Sequence, residues 1–280
     1  MSPSVEPRAQ LRSVRTRVDG LSIHTLASAD PAPGALPVVL VHGYGVSGRY
    51  MVPIARRIAA ELPVWVPDLP GHGRSEKPEQ TLDVPGLARA LRGFLDAVGV
   101  PRAAFLANSM GCQTVAELAV RHPETVDRLI FVGPTADPET RTLHQHLPRF
   151  LRAVFEERPS LIPLAMADYL RFGPRRIVEE LRAMFADRIE EKLPEISAPA
   201  MVVHGERDFI VPRRWAAEVA RLLRTDRLFA IPGAGHALNY SAPDKLMRLI
   251  RPFLSEPCSG PRGAGAPSPG GRGGDGRGSG

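Results

Sequence analysis

The chain has 280 residues, of which 43% are hydrophobic, and is long enough for one well-packed domain with a sizeable core. Its net charge is +6, but the basic residues are scattered rather than clustered with aromatic ones, which argues against nucleic-acid binding. It contains no run of about 18 apolar residues, and its N-terminus lacks the apolar segment of a secretory signal. These features predict a cytoplasmic protein without a membrane span.

The two cysteines indicate neither a disulfide framework nor a metal site. Cys112 lies in an apolar helical run and is predicted to be a small buried residue, whereas Cys258 lies far from any motif. Neither cysteine has a second cysteine or a histidine at the spacing of zinc ligands. The sequence therefore predicts no metal centre.

Strand and helix patterns alternate along the first half of the chain. The dipeptide Asp19-Gly20 suits a tight hairpin turn between the first two strands. Short β-branched runs that do not alternate with polar residues are typical of parallel strands covered on both faces. The predicted strands are 14–18, 21–27, 38–41, 64–66, 103–106 and 129–132, and the predicted helices are 50–61, 85–98 and 110–122.

The alternation stops between residues 134 and 195, where three short helices are predicted at 143–155, 161–172 and 175–185. It resumes with strands 201–203 and 228–231 and with helices 213–223 and 243–254. The pattern predicts an α/β fold whose doubly wound, mostly parallel sheet is formed by residues 12–133 and 196–254. Residues 134–195 are predicted to form a helical cap over the strand ends, and the Gly/Pro-rich residues 255–280 to be a disordered tail.

A serine lies at a predicted strand–turn–helix corner. In the segment 107–111, Ala-Asn-Ser-Met-Gly, Ser109 has a small residue two positions away on either side. Such a sharp turn leaves no room for bulk at those two positions and presents the serine as a nucleophile. The usual pattern is Gly-x-Ser-x-Gly. Here alanine replaces the first glycine, so the segment differs from that pattern by one methyl group. Ser109 is the predicted nucleophile.

A glycine-containing loop, His-Gly-Tyr-Gly at residues 42–45, directly follows the strand 38–41. Acyl transfer places negative charge on a carbonyl oxygen, and one preorganised backbone donor for it is worth about 3–4 kcal/mol. The predicted oxyanion-hole donors are the backbone N–H groups of Tyr44 and Met110.

Two further strand ends carry an acid and a base. Asp208 ends the segment 204–208, His-Gly-Glu-Arg-Asp, and His236 follows a glycine-containing loop at 233–235. Their order after Ser109 is the order Ser…Asp…His that this kind of triad requires. Asp137 follows another predicted strand and stays open as an alternative acid. The histidines at 24, 72, 122, 144, 146 and 204 are predicted to be structural.

Together these motifs resemble the α/β-hydrolase superfamily, and the resemblance covers residues 12–254. The segment 68–75, Asp-Leu-Pro-Gly-His-Gly-Arg-Ser, is similar to that superfamily's loop after its fourth strand, where it is architectural, so Asp68 and His72 are not predicted to be catalytic. The resemblance implies an eight-stranded sheet and a Ser109–His236–Asp208 triad. It does not imply one substrate, because function belongs to the site and not to the fold.

The implied reaction is covalent hydrolysis of a small-molecule ester, thioester or lactone with an apolar acyl part, and it needs no cofactor. The predicted cap combines apolar side chains that suit an acyl pocket with arginines that suit its solvated side.

Three other hypotheses are open. The elbow Asn-Ser-Met-Gly is similar to that of meta-cleavage-product hydrolases, which break carbon–carbon bonds, but Ala237 stands where those enzymes often have tryptophan. A cap arginine would suit their carboxylate substrate. An acyltransferase or cyclase would use the same triad, and a non-catalytic ligand-binding relative is disfavoured because every triad residue is present.

Overall fold

The sheet begins as an antiparallel hairpin. In the computed structural model, which describes residues 10–28 and 34–257, strand β1 (Leu11–Val18) pairs with β2 (Leu21–Ser28). At the predicted turn, Asp19 has a φ of 47° and Gly20 a φ of 83°. Positive φ at both central residues defines the type I′ turn, whose twist matches that of the two strands. The predicted hairpin is therefore confirmed.

Six further strands extend this hairpin into an eight-stranded sheet with the order β1-β2-β4-β3-β5-β6-β7-β8. All neighbours from β4 to β8 pair in parallel, whereas β2 pairs antiparallel with β4. The six strands are β3 (Val38–Val41), β4 (Val64–Pro67), β5 (Ala103–Asn108), β6 (Val126–Val132), β7 (Ala200–Gly205) and β8 (Leu228–Ile231). The predicted mostly parallel α/β sheet is thus confirmed.

Helices cover both faces of the sheet. Successive side chains of a strand point to opposite faces, and in β5 Phe105 joins one buried cluster while Leu106 joins the other. Every residue of β5 is buried, and so is Cys112, as predicted. The helices are α1 (Val52–Ile58), α2 (Val84–Ala97), α3 (Met110–Arg121), α4 (Leu143–Glu156), α5 (Leu161–Phe172), α6 (Pro174–Ala186), α7 (Ile189–Lys192), α8 (Arg213–Leu222), α9 (Leu238–Ser241) and α10 (Pro243–Leu254).

The predicted helix 50–61 is shorter than the sequence pattern indicates. A 3₁₀ turn, Gly48–Met51, precedes α1, in which Pro53 occupies a first-turn position that needs no N–H donor. The four-residue helices α7 and α9 were not predicted, because four residues are too few to show helical periodicity. None of the helices in 10–28 and 34–257 combines the length and the apolar character that crossing a bilayer requires.

The first residues of the predicted tail contact the body of the protein. Arg128 in β6 is 1% exposed, and its guanidinium donates to Asp127 Oδ1, to the carbonyl oxygen of Phe253 and, over 3.0 Å, to that of Pro257. Glu256 forms an ion pair of 2.9 Å with Arg227. The prediction of a disordered tail from residue 255 is therefore wrong for residues 255–257. Residues 258–280, with Cys258, lie outside the described part of the chain.

We expect truncation after Ser255 to destabilise the protein, because it removes the Pro257 carbonyl from a buried guanidinium. Leaving a buried donor unpaired costs about 1–3 kcal/mol. Truncation after Pro257 is the matched control and should leave the melting temperature close to that of the full chain, since the residues it removes offer little apolar surface to bury. Thermal unfolding of the two forms checks this, and equal melting temperatures would contradict it.

Candidate active site

Ser109 stands at the sharp corner between β5 and α3. Its φ of 56° and ψ of −127° lie in a region that residues other than glycine rarely adopt. Holding a residue in such a backbone conformation costs about 1–3 kcal/mol. The Ser109 N–H donates to the Val132 carbonyl oxygen of the neighbouring strand over 3.0 Å. A Cβ at Gly111 would lie 2.6 Å from the carbonyl oxygens of both Val41 and His42. The corner therefore needs a small residue at 111, as the sequence predicted.

His236 and Asp208 form a hydrogen-bonded pair beside this corner. His236 Nδ1 lies 2.8 Å from Asp208 Oδ2, and Asp208 Oδ1 accepts from the backbone N–H groups of Ile210 and Val211 over 2.9 Å each. Burial lowers the pKa of His236, but the charge and hydrogen bond of Asp208 more than offset this, so the pKa lies above the ordinary 6.5. Asp208 therefore both orients the imidazole and stabilises its charged form.

Gly133, at the end of β6, leaves room for this pair. It has a φ of 53°, and a Cβ there would lie 3.0 Å from His236 Nδ1 and 3.1 Å from Asp208 Oδ2. Three parallel strands thus bring their ends together at the site, since β5 ends one residue before Ser109, β6 one residue before Gly133 and β7 three residues before Asp208.

Asp137, the alternative acid, is engaged elsewhere. Its carboxylate lies 2.6 Å from Arg214 Nη2 and accepts from the Glu139 N–H over 3.1 Å at the start of a 3₁₀ turn. Its described partners do not include His236. The structure therefore brings Asp208, and not Asp137, to the imidazole.

The loop 42–45 packs directly against the nucleophile corner. A Cβ at Gly43 would lie 2.9 Å from Ser109 Cβ and 3.4 Å from Ser109 Oγ. Burial first, and the nearby His72 second, lower the pKa of His42 to about 4, so its imidazole is neutral near pH 7 and its Nε2 accepts from the Leu69 N–H over 2.9 Å. This fixes the start of the loop, and the donor roles of the Tyr44 and Met110 amides stay a prediction.

A largely apolar cavity of about 240 Å³ connects these groups, and Ser109 and His236 both lie in its wall. No lysine or arginine is among the described residues that line it. The apolar side chains of its wall are those of Val46, Phe150, Ala153, Val154, Leu161, Ile162, Ala165, Met166, Met184, Ile210 and Ala237. The helices α4, α5 and α6 supply most of this wall.

The sequence did not point to two polar residues of this wall, His146 and Glu157. Burial first, and then His236, lower the pKa of His146 to about 4, so it is neutral near pH 7. Glu157 accepts from the Ala237 N–H over 2.7 Å and so supports the backbone next to His236. Helical spacing places His146 on one face of α4 with Phe150, a signal that could have been used, whereas no local pattern distinguishes Glu157 from a surface charge.

Two buried carboxylates of the cap bind the loops around Ser109. Glu180 Oε2 accepts from the Gly45 N–H over 3.0 Å, and its Oε1 lies 2.9 Å from His72 Nε2. Asp168 accepts from Ser47 Oγ over 2.6 Å and from Arg49 Nη2 over 2.7 Å. Glu180 is 1% exposed and Asp168 2%. Charge-assisted hydrogen bonds thus tie α5 and α6 to the loop that follows β3.

Asp68 has an architectural place. It accepts from His24 Nδ1 over 2.8 Å, from the Gly48 N–H over 2.7 Å and from the Arg74 N–H over 2.8 Å. It therefore joins the loop after β3 to the segment after β4, in agreement with the prediction for 68–75.

Comparison with known proteins identifies the family of this chain. The model of the alpha/beta hydrolase family matches residues 38–249, which is most of the chain. The chain belongs to the alpha/beta hydrolase family. Esterases and lactonases recur among its relatives, so this alpha/beta hydrolase is a hydrolase enzyme.

Among these relatives, a pimeloyl-[acyl-carrier protein] methyl ester esterase of Neisseria meningitidis serogroup A is 30% identical, over 81% of this chain and 79% of its own. A bacterial membrane phospholipase A is 26% identical with a TM-score of 0.75, over 89% of this chain and 87% of its own. The enol-lactonase of Burkholderia xenovorans shares the fold at 21% identity and a TM-score of 0.74, over 87% of this chain and 100% of its own.

The His72–Glu180 ion pair predicts a pH-dependent stability. Burial lowers the pKa of His72, but Glu180 raises it more, so the folded pKa lies above the ordinary 6.5. A raised folded pKa stabilises the protein fully below the unfolded pKa, and this contribution is lost as the pH rises through the folded value. We expect the free-energy difference between wild type and His72→Gln to shrink between about pH 6 and about pH 9. Urea unfolding at both pH values measures it.

His122→Gln is the control for this experiment, because His122 faces Glu124 over 3.5 Å but is 39% exposed. Its stability should follow that of wild type at both pH values. A wild-type advantage over His72→Gln that is the same at both pH values would show that His72 acts through packing and not through its charge.

Proposed function

We propose that this alpha/beta hydrolase cleaves an ester, thioester or lactone with an apolar acyl part, using Ser109 as nucleophile, His236 as base and Asp208 as the acid that orients it. The observation that carries the proposal is that the strained Ser109 and His236, which is hydrogen-bonded to Asp208, line one apolar cavity. Residues 134–195 act as the cap of this cavity.

The tautomer of His236 suits it for the role of base. Because Asp208 Oδ2 accepts the hydrogen bond of Nδ1–H, the lone pair lies on Nε2. His236 takes the proton of Ser109 Oγ as that oxygen attacks the carbonyl carbon, and the oxyanion is bound by the N–H groups of Tyr44 and Met110. The imidazolium then gives its proton to the leaving alcohol or thiol, and an acyl-enzyme results. Water, deprotonated by His236, attacks this ester, and the bond between the acyl carbon and Ser109 Oγ breaks as the imidazolium returns its proton to Oγ, which releases the carboxylic acid and restores the enzyme.

The cavity wall supports a neutral, apolar acyl group. No lysine or arginine among the described residues of the wall could pair with a charged acyl chain, and an unpaired carboxylate in such a site is costly. The volume of about 240 Å³ is smaller than that of typical drug-sized sites, about 300–1,000 Å³, and suits a short or medium chain. The methyl ester esterase and the enol-lactonase among the relatives support ester chemistry.

The same wall argues against carbon–carbon bond hydrolysis of meta-cleavage products. The cap arginine that would bind their carboxylate is not among the described residues of the cavity, and Ala237 lines it where those enzymes often have tryptophan. Acyl transfer shares every step up to the acyl-enzyme, so product analysis with and without an added alcohol separates transfer from hydrolysis. The cytoplasmic location and the independence of a cofactor stay predictions.

Substitution of the triad is expected to abolish turnover without unfolding the protein. Ser109→Ala should lower kcat on the order of 10⁶-fold, and Asp208→Asn about 10⁴-fold by favouring the wrong tautomer. Asp137→Asn is the matched control and should leave kcat close to that of wild type while costing about 1–2 kcal/mol of stability, since Asp137 begins a turn and pairs with the half-exposed Arg214. A panel of p-nitrophenyl esters measures kcat, and a fluorophosphonate probe should label wild type but not Ser109→Ala. A large loss of kcat in Asp137→Asn would instead make Asp137 the acid of the triad.

The raised pKa of His236 predicts the pH profile. The imidazole must be neutral to act as base, so kcat/KM for a p-nitrophenyl ester should rise with pH through an apparent pKa above 6.5. In Asp208→Asn the charge that raises this pKa is gone while burial still lowers it, so the residual activity should rise at lower pH. An unchanged midpoint in that variant would remove Asp208 from contact with the base.

A further inference from the structure

The outer surface of the cap carries a row of exposed apolar side chains. On α4, Leu143, Leu147, Leu151 and Phe155 follow one another at intervals of four residues, and Phe155 is 88% exposed. Residues four apart lie on the same side of a helix. Isolated exposed apolar residues are ordinary, whereas a continuous apolar surface usually marks a binding site.

Helix α5 also carries exposed apolar side chains. Its exposed positions are apolar except for Arg171, and Leu170 is 76% exposed. The exposed apolar residues of α5 are Ile162, Pro163, Met166, Ala167 and Leu170. We call these residues, together with the row on α4, the apolar face of the cap.

The charges around the apolar face are almost all positive. Between residues 143 and 186, Glu156 is the one exposed carboxylate, because Asp168 and Glu180 are buried and Glu157 and Glu179 are half-buried. Five arginines in the same range are exposed: Arg152, Arg158, Arg171, Arg175 and Arg182. Arg175 is paired with Glu179 over 2.7 Å, whereas the buried Asp168 and Glu180 are directed to other partners and do not offset the remaining four arginines. The outside of the cap therefore complements an anionic surface.

The apolar face also reaches the substrate cavity. Ile162 and Met166 are exposed on the outside of α5 and at the same time line the cavity that contains Ser109. An acyl chain can therefore pass from the apolar face into the cavity along apolar side chains. This continuity links the surface to the substrate rather than to an unrelated partner.

We propose that the apolar face of the cap docks on an anionic lipid surface, from which the acyl chain of the substrate enters the cavity. This inference rests on the proposed function and adds that the substrate is taken up from a lipid surface rather than from solution. The apolar side chains enter the boundary between headgroups and acyl chains, while the arginines lie at the level of the anionic headgroups. A second copy of this chain fits less well, because a two-fold contact would bring the arginines of both copies together.

Vesicle binding tests the proposal. Wild type should sediment with phosphatidylglycerol vesicles at low salt and much less with phosphatidylcholine vesicles. The double variant Phe155→Ser/Leu170→Ser should bind at least about 10-fold more weakly, because two large apolar side chains no longer enter the lipid. Phe229→Ser is the matched control, since Phe229 is 37% exposed on β8, outside the cap, and should bind as wild type does.

A second variant tests the contribution of the arginines to vesicle binding. Arg158→Gln/Arg171→Gln should weaken binding to the anionic vesicles about 30-fold, and added salt should reduce the binding of wild type. None of the residues changed here lines the cavity, so hydrolysis of a water-soluble p-nitrophenyl ester should be unchanged in all variants. Loss of vesicle binding with retained ester hydrolysis thus separates this proposal from the proposed function.

Two results would overturn the proposal. One is equal or absent binding of wild type to the two kinds of vesicle. The other is a wild-type dimer in analytical ultracentrifugation that dissociates in Phe155→Ser/Leu170→Ser, which would make the apolar face an interface between copies of the chain.

Discussion

The positive φ of Ser109 is the constraint on which the rest of the site depends. The strained corner is kept because the strand ends around it are packed too closely for any relaxed alternative, with Gly111 against two carbonyl groups and Gly43 against the serine itself. The same closeness at Gly133 brings the Asp208–His236 pair to the serine. The unfavourable backbone conformation of Ser109 is thus offset by the packing of the whole parallel sheet. Because the strands meet at their carboxyl ends, the site lies at that edge of the sheet.

The cap contributes to the site through its carboxylates as well as through its apolar wall. Glu180 and Asp168 bind the loop that carries Tyr44, and Glu157 binds the backbone beside His236. A substitution inside the cap can therefore alter the geometry of the reacting groups as well as the fit of the acyl chain. The proposed function therefore implies that substrate preference and rate are coupled, since the same helices would serve both.

The parts of the molecule that the sequence predicted are those with a local signature. The strands, the elbow at Ser109 and the strand-end positions of Asp208 and His236 depend on residues close together in the chain, so pattern and turn chemistry were enough. Glu180 is different, because its partner Gly45 lies 135 residues away and an acid on an amphipathic helix has the pattern of a surface charge. The burial of Arg128 could not be predicted for the same reason, since its partner Pro257 lies 129 residues away.

The cavity wall, whose described residues include no lysine or arginine, has a consequence for the proposed reaction. In the reaction we propose, hydrolysis turns a neutral ester into a carboxylate, and no lysine or arginine among the described residues of the wall can pair with this new anion. The acyl group fits the apolar cavity as a neutral ester but is poorly solvated there as a carboxylate. An unpaired charge has a higher free energy in an apolar site than in water. The proposed reaction would thus lower the affinity of the cavity for its own product, so that each cycle would end with an electrostatic drive for the acid to leave.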